Sequence, residues 1–314
     1  MKKFTIIFIN ILIILILYFI FEYIIYKNYF IERYDIVRPF IKERKINNLF
    51  VLERFDKEEL YNNEFKKSPV LLLGCSYTRG GWIPEETYAK KLSRLTKRPV
   101  YNWGRAGAGP EFVLGLIEEE EQNHILKNYQ PEIIIYTYMF NHIHRLGYWD
   151  YYDILRKNGI MDYKGPKFLY NSYIYSYIRN TQFSKEYVEK KTYELQMKIF
   201  KCLVQKCKKL FPQSKFVFLL YYDINYDLSE GFTGSNGKNQ KMIDEEFEVL
   251  YSDKFKQDLE NLGTTVITTE ELIGRKMDRE EDRVPKTIDK NSYPHPSEKA
   301  WDEILPKLVK KLNL

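Results

Sequence analysis

Apolar residues occur along most of this chain in short continuous runs, separated by longer segments with helical periodicity. Five runs have the length of a β-strand, namely PVLLLGC (69–75), PVYNW (99–103), EIIIYTYMF (132–140), KFVFLLYY (215–222) and TTVITT (264–269). Continuous rather than alternating apolar runs are typical of strands that are covered on both faces. The alternation of strand and helix predicts right-handed βαβ units, and therefore an α/β fold with a parallel sheet and helices on both of its faces.

The amino terminus carries a different apolar pattern, a single long run. No charged residue occurs from Phe4 to Phe21, which is close to the ~20 residues needed to cross a bilayer. A signal peptide would need small residues for cleavage, and the first alanine of the chain is Ala89. The pattern therefore predicts an uncleaved, single-pass transmembrane helix with the lipid bilayer as its partner. Basic residues on both sides of the run leave its orientation open.

The composition of the chain changes after this run and indicates its domains. Residues 1–26 form the predicted membrane anchor, residues 27–67 a helical juxtamembrane stalk, and residues 68–314 the α/β domain. Residues 146–185 are an insertion rich in Tyr and Trp, whose rings either stack on sugars or pack a subdomain. Residues 228–240 are a Gly/Ser/Asn loop, either a mobile lid or an ordinary connection.

Composition also argues against several classes of function. The 314-residue chain has a formal charge of +6, and its basic and acidic residues are interspersed, so no nucleic-acid partner is predicted. The three cysteines, Cys75, Cys202 and Cys207, are odd in number and badly spaced for a disulfide framework or a zinc site. We interpret them as small buried apolar residues, and we predict neither a metal nor a cofactor.

Polar and glycine-rich blocks stand where the predicted strands end. The first strand ends in GCSYT, the second in NWGRAGAGP and the third in FNHIHR, while SYPHPSEKAW leads into the last helical segment. Ligands of parallel α/β sheets bind beyond the carboxyl ends of the strands. The sequence therefore predicts that a serine, a glycine turn, an asparagine amide and an imidazole lie at one edge of the sheet.

These residue types are the ones that acyl transfer requires. Serine becomes a good nucleophile when a base removes its proton, and imidazole is the usual base near neutral pH. Ser76 is therefore the predicted nucleophile and His295 the predicted base. The backbone N–H groups of Ser76 and Gly107, with the side-chain amide of Asn141, are the predicted donors to the oxyanion. Further predicted pocket residues are Cys75, Tyr77, His142 and His144.

Each block taken alone has a simpler interpretation, and these alternatives stay open. Ser76 is also suited to cap a helix, and His295 before a proline is also suited to open one. His142 and His144 form an H-x-H pair, but no third ligand accompanies them at a spacing typical of a metal site. The order GRAGAG does not match the dinucleotide-binding pattern G-x-G-x-x-G.

In order and spacing, the four blocks resemble those of the SGNH (GDSL-type) hydrolase family. GCSYT is similar to the family's nucleophile block, with Ser76 in the serine position. NWGRAG and FNH place Gly107 and Asn141 at the oxyanion positions, and HPS places His295 at the catalytic histidine. The resemblance covers about residues 68–312. It implies a three-layer α/β/α sandwich with a five-stranded parallel, flavodoxin-like sheet. Known members of the family are esterases, lipases, carbohydrate deacetylases and O-acetyltransferases, and none of them needs a metal.

The chain departs from the family's pattern at several positions. Cys75 stands where the nucleophile block often has Asp, and Met139 and His142 replace the Gly and Asp of G-x-N-D. The family's D-x-x-H motif has an acid where this chain has Ser292. Asp289 is the remaining candidate for the acid of the triad. Without it, the imidazole would work in a dyad and be oriented by backbone carbonyl groups.

Together these features predict a membrane-anchored, serine-dependent esterase or O-acyltransferase of the SGNH type. The predicted substrate is an O-acyl ester, above all an O-acetyl group on an envelope or exported glycan, and family habit places the catalytic domain on the extracytoplasmic side. A transferase would use a membrane-supplied acyl donor. The alternatives are a non-catalytic glycan-binding module on the same scaffold and a structural membrane protein.

Overall fold

The computed structural model describes residues 2–25, 69–79, 88–105, 107–123, 130–139, 142–143, 155, 158–160, 192–221, 249–250, 252–284 and 295–314. The chain forms two compact units, one comprising Met1–Phe50 and Asp162–Val188 and the other Val51–Met161 and Glu189–Leu314. The predicted stalk, the Gly/Ser/Asn loop and nearly all of the aromatic insertion lie outside the described residues. The predicted domain boundaries therefore stay predictions.

Helix α1, Lys2–Ile25, is the described part of the first unit. Its 24 residues include the long apolar run, so the predicted helix is confirmed. The described large apolar side chains of this helix are exposed, and Phe8 and Phe19 each expose 67% of their surface. Among the residues that the structure describes, no helix is both long enough and apolar enough to cross a membrane. The transmembrane part of the prediction is not confirmed.

The strands described in the second unit are parallel and lie where the continuous apolar runs predict them. They are β1 Val70–Gly74, β2 Val100–Gly104, β3 Ile133–Met139, β4 Lys215–Tyr221 and β5 Thr265–Thr268. Their order is β2-β1-β3-β4-β5. Every residue of β1 and β3 is buried, which explains why polar residues do not alternate along these runs. The predicted α/β fold with a five-stranded parallel sheet is confirmed.

Helices cover both faces of this sheet. Those described are α2 Ser76–Arg79, α3 Tyr88–Thr96, α4 Pro110–Asn123, α5 Thr192–Leu210, α6 Asp253–Glu260, α7 Thr269–Ile273 and α8 Glu298–Leu312, with a 3-10 turn at Glu280–Asp282. Phe218 of β4 packs on Phe200 of α5, with ring centroids 5.1 Å apart. Tyr221 points to the opposite face, because side chains alternate along a strand, and packs on Trp301 of α8 at 5.8 Å. The sheet therefore lies between two layers of helices.

Candidate active site

The carboxyl ends of β1, β2 and β3 lie level at one edge of the sheet. Gly74, the last residue of β1, is paired with Gly104 of β2 and also with β3. The Arg105 N–H donates to the Gly74 carbonyl oxygen at 3.1 Å, one residue beyond the end of β2. The strand order reverses at β1, and such switch points open a crevice at this edge. Ser76 and Gly107 follow these strand ends by two and three residues, so both lie near the crevice.

Ser76 is the first residue of the short helix α2, directly after β1. Ser76 is half-buried, whereas Cys75 and Tyr77 on either side of it are buried. The Arg79 N–H donates to the Cys75 carbonyl oxygen at 3.0 Å and closes the single turn of the helix. Because α2 begins at Ser76, the residue at the capping position is Cys75, and the helix-cap interpretation of Ser76 is not supported.

Two glycines allow α2 to lie against the end of the sheet. Gly74 has a φ of +146°, which residues with a side chain rarely adopt. A Cβ atom there would overlap the Thr78 side chain and would lie 2.8 Å from the carbonyl oxygen of Thr137. A Cβ atom at Gly104 would lie 2.7 Å from Thr78 Cβ. A side chain at either glycine would therefore displace α2, and Ser76 with it.

Asn102 holds the far end of α2 from within β2. Its side-chain amide donates to the carbonyl oxygens of Thr78 at 3.1 Å and of Arg79 at 3.3 Å. Its Oδ1 accepts from the Gly104 N–H at 2.9 Å. This role was not predicted, although a polar residue within an otherwise apolar strand is a signal that could have revealed it.

The structure brings His295 to the helix that carries the predicted nucleophile. The rings of His295 and Tyr77 are in contact, with centroids 5.3 Å apart and planes inclined by 56°. Tyr77 also packs edge-on against Tyr221 of β4, at 5.3 Å. Both rings of the pair are buried, with 7% of His295 and 3% of Tyr77 exposed. The predicted base thus contacts the residue that follows the predicted nucleophile, Ser76.

Backbone hydrogen bonds join His295 to another part of the chain. Residues 295–297 are called here the histidine segment, and residues 281–284 the supporting segment. The Val284 N–H donates to the His295 carbonyl oxygen at 2.8 Å, and the Ser297 N–H donates to the main-chain oxygen at position 282 at 2.9 Å. The Ser297 side chain caps α8 by accepting from a backbone N–H at 3.1 Å. His295 therefore precedes a helix, as one alternative proposed, and also contacts α2.

Asp282 of the supporting segment carries a buried carboxylate, with 2% of the residue exposed. Its two oxygens accept hydrogen bonds from Nη1 and Nη2 of Arg275, each at 2.8 Å, and Oδ2 also accepts from the Arg279 N–H at 3.0 Å. Burial raises the pKa of the Asp282 carboxyl, but the hydrogen bonds from Arg275 and Arg279 outweigh burial, so the pKa lies below its ordinary value. This pair is not predicted by any pattern in the sequence.

His142 is fully buried among aromatic side chains. Its Nδ1 lies 3.2 Å from the Tyr136 hydroxyl, and its ring stands edge-on to the rings of Tyr136 and Tyr138 at 5.7 and 5.2 Å. Tyr136 packs in turn on Phe200 of α5 at 5.5 Å. These are the contacts of a core histidine, which differ from the pocket position predicted for His142.

Cys75 and Met139 are in contact through their sulfur atoms. The Cys75 thiol donates to the Met139 thioether at 3.3 Å, and both residues are buried. Both are positions at which the chain departs from the pattern of the SGNH family. The two departures therefore form a single packed contact, and Cys75 is fully buried; its place among the pocket residues stays a prediction.

Three predicted site residues, Asn141, His144 and Asp289, lie outside the described residues. Their roles as oxyanion donor, pocket residue and triad acid stay predictions. Gly107 is half-buried in the turn after β2 with a φ of +75°, a conformation that glycine adopts easily. Its role as an oxyanion donor also stays a prediction.

No protein-family model and no curated protein matches this chain. Among solved structures, it is similar to a protein assigned as a GDSL-like lipase from Parabacteroides merdae, with 14% identity, a TM-score of 0.43, and coverage of 78% of this chain and 95% of the other. A protein assigned as an SGNH hydrolase from Slackia heliotrinireducens has 12% identity, a TM-score of 0.40, and coverage of 78% and 98%. An extracellular lipase from Streptomyces rimosus has 10% identity, a TM-score of 0.42, and coverage of 78% and 99%.

The solved structures to which the chain is similar thus include GDSL-like lipases and SGNH hydrolases, the family that its four sequence blocks resemble.

Proposed function

We propose that this protein is a serine-dependent ester hydrolase in which Ser76 is the nucleophile and His295 the general base. The observation that carries the proposal is the contact of His295 with Tyr77, at 5.3 Å between ring centroids. This contact joins a residue near the end of the chain to the helix that begins at Ser76, where β1, β2 and β3 end. A serine and an imidazole at the switch point of a parallel sheet are suited to nucleophilic acyl transfer.

In the proposed reaction, an imidazole nitrogen of His295 takes the Ser76 hydroxyl proton while the serine oxygen bonds to the ester carbonyl carbon. The carbonyl oxygen becomes an oxyanion that accepts from the N–H groups of Ser76 and Gly107 and from the Asn141 amide. Loss of one such donor raises the barrier by about 2.7–4 kcal/mol. The imidazolium then protonates the departing alkoxide, which leaves an acyl-serine. Water, deprotonated by the same imidazole, releases the carboxylic acid and regenerates Ser76.

We propose Asp289 as the acid that orients the imidazole. It lies six residues before His295 in the sequence, and the buried Asp282 is bound to Arg275 instead. A triad predicts that Asp289→Asn lowers kcat by up to about 10⁴-fold, because the imidazole then loses its correct tautomer. A dyad oriented by backbone carbonyl groups predicts a kcat close to that of the wild type.

We propose that the substrate is an O-acyl ester of an envelope or exported glycan, with acetyl as the acyl group. The support is the insertion at 146–185, which is rich in Tyr and Trp and could stack on sugar rings. Transfer to a glycan hydroxyl instead of water would make the enzyme an O-acyltransferase. Mass spectrometry of an O-acetylated glycan after incubation, and of a glycan incubated with an activated acetyl ester, separates the two reactions.

We propose that α1 attaches the protein to a membrane, with the second unit on the extracytoplasmic side. The support is the charge-free sequence from Phe4 to Phe21 and the exposure of its large apolar side chains, since exposed apolar surface of this extent marks an interaction site. Carbonate extraction of membranes tests the attachment, and protease treatment of intact cells tests the side. Recovery of the full chain in the soluble fraction would contradict the proposal.

Fluorophosphonate labelling tests the catalytic proposal directly, because the probe reacts with an activated serine. We expect labelling of the wild-type protein, none of Ser76→Ala, and strongly reduced labelling of His295→Ala. A folded wild-type protein whose Ser76 is not labelled contradicts the proposal and favours a glycan-binding module or a structural membrane protein. Glycan binding that survives Ser76→Ala then identifies the binding module.

A further inference from the structure

The histidine segment depends on the supporting segment for its main-chain hydrogen bonds. The His295 carbonyl oxygen accepts from the Val284 N–H at 2.8 Å, and the Ser297 N–H donates to the Asp282 carbonyl oxygen at 2.9 Å. The Ser297 hydroxyl also donates to the carbonyl oxygen of Glu281 at 2.5 Å. The backbone that carries the imidazole therefore takes its position from residues 281–284.

The supporting segment is fixed in turn by a bidentate ion pair. Both Asp282 oxygens accept from Arg275 at 2.8 Å, and Arg275 Nη2 also donates to Glu303 of α8 at 2.5 Å. Arg275 directly follows Gly274, which ends α7 with a φ of +74°. The pair thus links the end of α7, the 3-10 turn and α8. Parallel hydrogen bonds between a guanidinium and a carboxylate define geometry more closely than a single contact does.

We propose that Arg275 and Asp282 are positioning residues for His295. Their pairing fixes the supporting segment, which holds the histidine segment where the imidazole packs on Tyr77 and can reach Ser76. This inference rests on the proposed function. Among the described residues, the hydrogen bonds of the Asp282 carboxylate go to Arg275 and to the Arg279 N–H, so we propose that Asp282 acts on His295 through the supporting segment.

Kinetics of the full-length Asp282→Asn and Arg275→Gln variants on a small activated ester, such as p-nitrophenyl acetate, test the proposal. We expect kcat to fall by up to about 100-fold, because a displacement of roughly 1 Å of a catalytic group can have that effect, with KM changed much less. The double variant should be no slower than the slower single variant, because each change breaks the same pair. Circular dichroism and urea unfolding give the folded fraction of each variant, so that kcat refers to folded molecules.

Glu132→Gln is the matched control. Glu132 pairs with Arg98 at 2.5 Å, with 42% and 9% of their side chains exposed; Glu132 directly precedes β3 and Arg98 lies two residues before β2, at the opposite edge of the sheet. If Arg275 and Asp282 only stabilise the fold, kcat per folded molecule will stay within about twofold of the wild type in Asp282→Asn as in Glu132→Gln, and the proposal is overturned. If Asp282→Asn does not fold, Arg275→Lys, which keeps the charge but not the two parallel bonds, is judged by the same criterion.

The proposed function can fail separately from this inference. Full activity in both Ser76→Ala and His295→Ala would contradict the proposed function and, with it, any positioning role for the pair. Loss of activity in those two variants with normal kcat in Asp282→Asn would contradict the positioning role alone.

Discussion

Ser76 and His295 are held by two different kinds of structure. Ser76 continues the buried strand β1, and its place is set by backbone pairing and by glycines that let α2 lie close to the sheet. His295 lies outside the sheet, next to an isolated bridge between Arg283 and Pro296, on a backbone held by hydrogen bonds and charged side chains. A single added methyl group can disrupt a close steric fit, whereas hydrogen bonds and ion pairs weaken gradually with pH or with substitution. The two sides of the site should therefore respond differently to perturbation.

One methyl group added at Gly74 should displace Ser76 and abolish most of the activity. We expect Gly74→Ala to lower kcat/KM at least about 100-fold by displacing α2, and to lower the free energy of unfolding by more than about 1 kcal/mol because its φ is positive. Gly159→Ala is the control, since Gly159 has a φ of +62° but no atom within 4 Å of the added Cβ. Urea unfolding and ester hydrolysis measure both variants. Equal kcat/KM in the two variants would contradict the steric account.

Protonation of His295 should lower the rate of ester hydrolysis without unfolding the protein. An imidazole base must be neutral to accept the serine proton, so activity should fall by about tenfold per pH unit once acid protonates the ring. Rates of ester hydrolysis between about pH 5 and 8, with circular dichroism as a check on folding, test this expectation. A flat profile would exclude an imidazole base.

Substitution of Asn102 tests whether hydrogen bonds, in addition to steric fit, hold α2 and Ser76 in place. We expect Asn102→Ala to lower kcat about tenfold and the free energy of unfolding by about 1–3 kcal/mol, because the carbonyl oxygens of Thr78 and Arg79 lose their donor. Asn102→Asp has the same shape and keeps the acceptor for the Gly104 N–H, but not the donors. If Asn102→Asp were as active as the wild type, the donors would not matter.

Acid should weaken the supporting segment at lower pH than it weakens activity. The folded pKa of Asp282 lies below the ordinary value. Its contribution to stability is therefore present above the unfolded value of about 4 and is lost as the pH falls through the folded value. The difference in unfolding free energy between wild type and Asp282→Asn should be constant from about pH 5 to 7 and shrink below about pH 4. Urea titrations at each pH measure it, and a difference that changes between pH 5 and 7 would point to another group.

The smallest effect is expected for the exposed ion pair between Lys299 of α8 and Glu281 of the supporting segment. Lys299 lies 2.7 Å from Glu281, and 67% and 46% of their side chains are exposed. Lys299→Ala should leave kcat within about twofold and the thermal midpoint unchanged, because water screens such pairs. A loss comparable to that of Asp282→Asn would show that charge near the segment, rather than the bidentate contact, positions His295.

The strands and the edge that carries the site could be predicted from sequence. Buried parallel strands appear in the sequence as continuous apolar runs such as VLLLG at 70–74. Short runs of this kind, separated by helical segments, predict strands. The order of strands and helices then places the polar blocks at one edge. Ser76, Gly107 and His295 can be proposed as site residues because each belongs to a short block that is contiguous in the sequence.

The contacts that hold the site could not be predicted. Arg275 and Asp282 lie in a polar stretch without periodicity, where charges are ordinarily solvated, and only the folded chain shows that Asp282 is buried. In the sequence, Asn102 stands in a glycine-rich block, and only the structure shows that its amide binds α2. The motif around His142 predicts a pocket residue, whereas its ring is buried against Tyr136 and Tyr138, which pack in turn on Phe200, far along the chain.

The contact between Cys75 and Met139 has a consequence for redesign of this chain. An aspartate at position 75 alone would place an ionisable oxygen group against a buried thioether. Restoring glycine at position 139 alone would leave a void beside the thiol. The two positions should therefore tolerate exchange only as a pair, and a library that varies them one at a time would miss the functional combination.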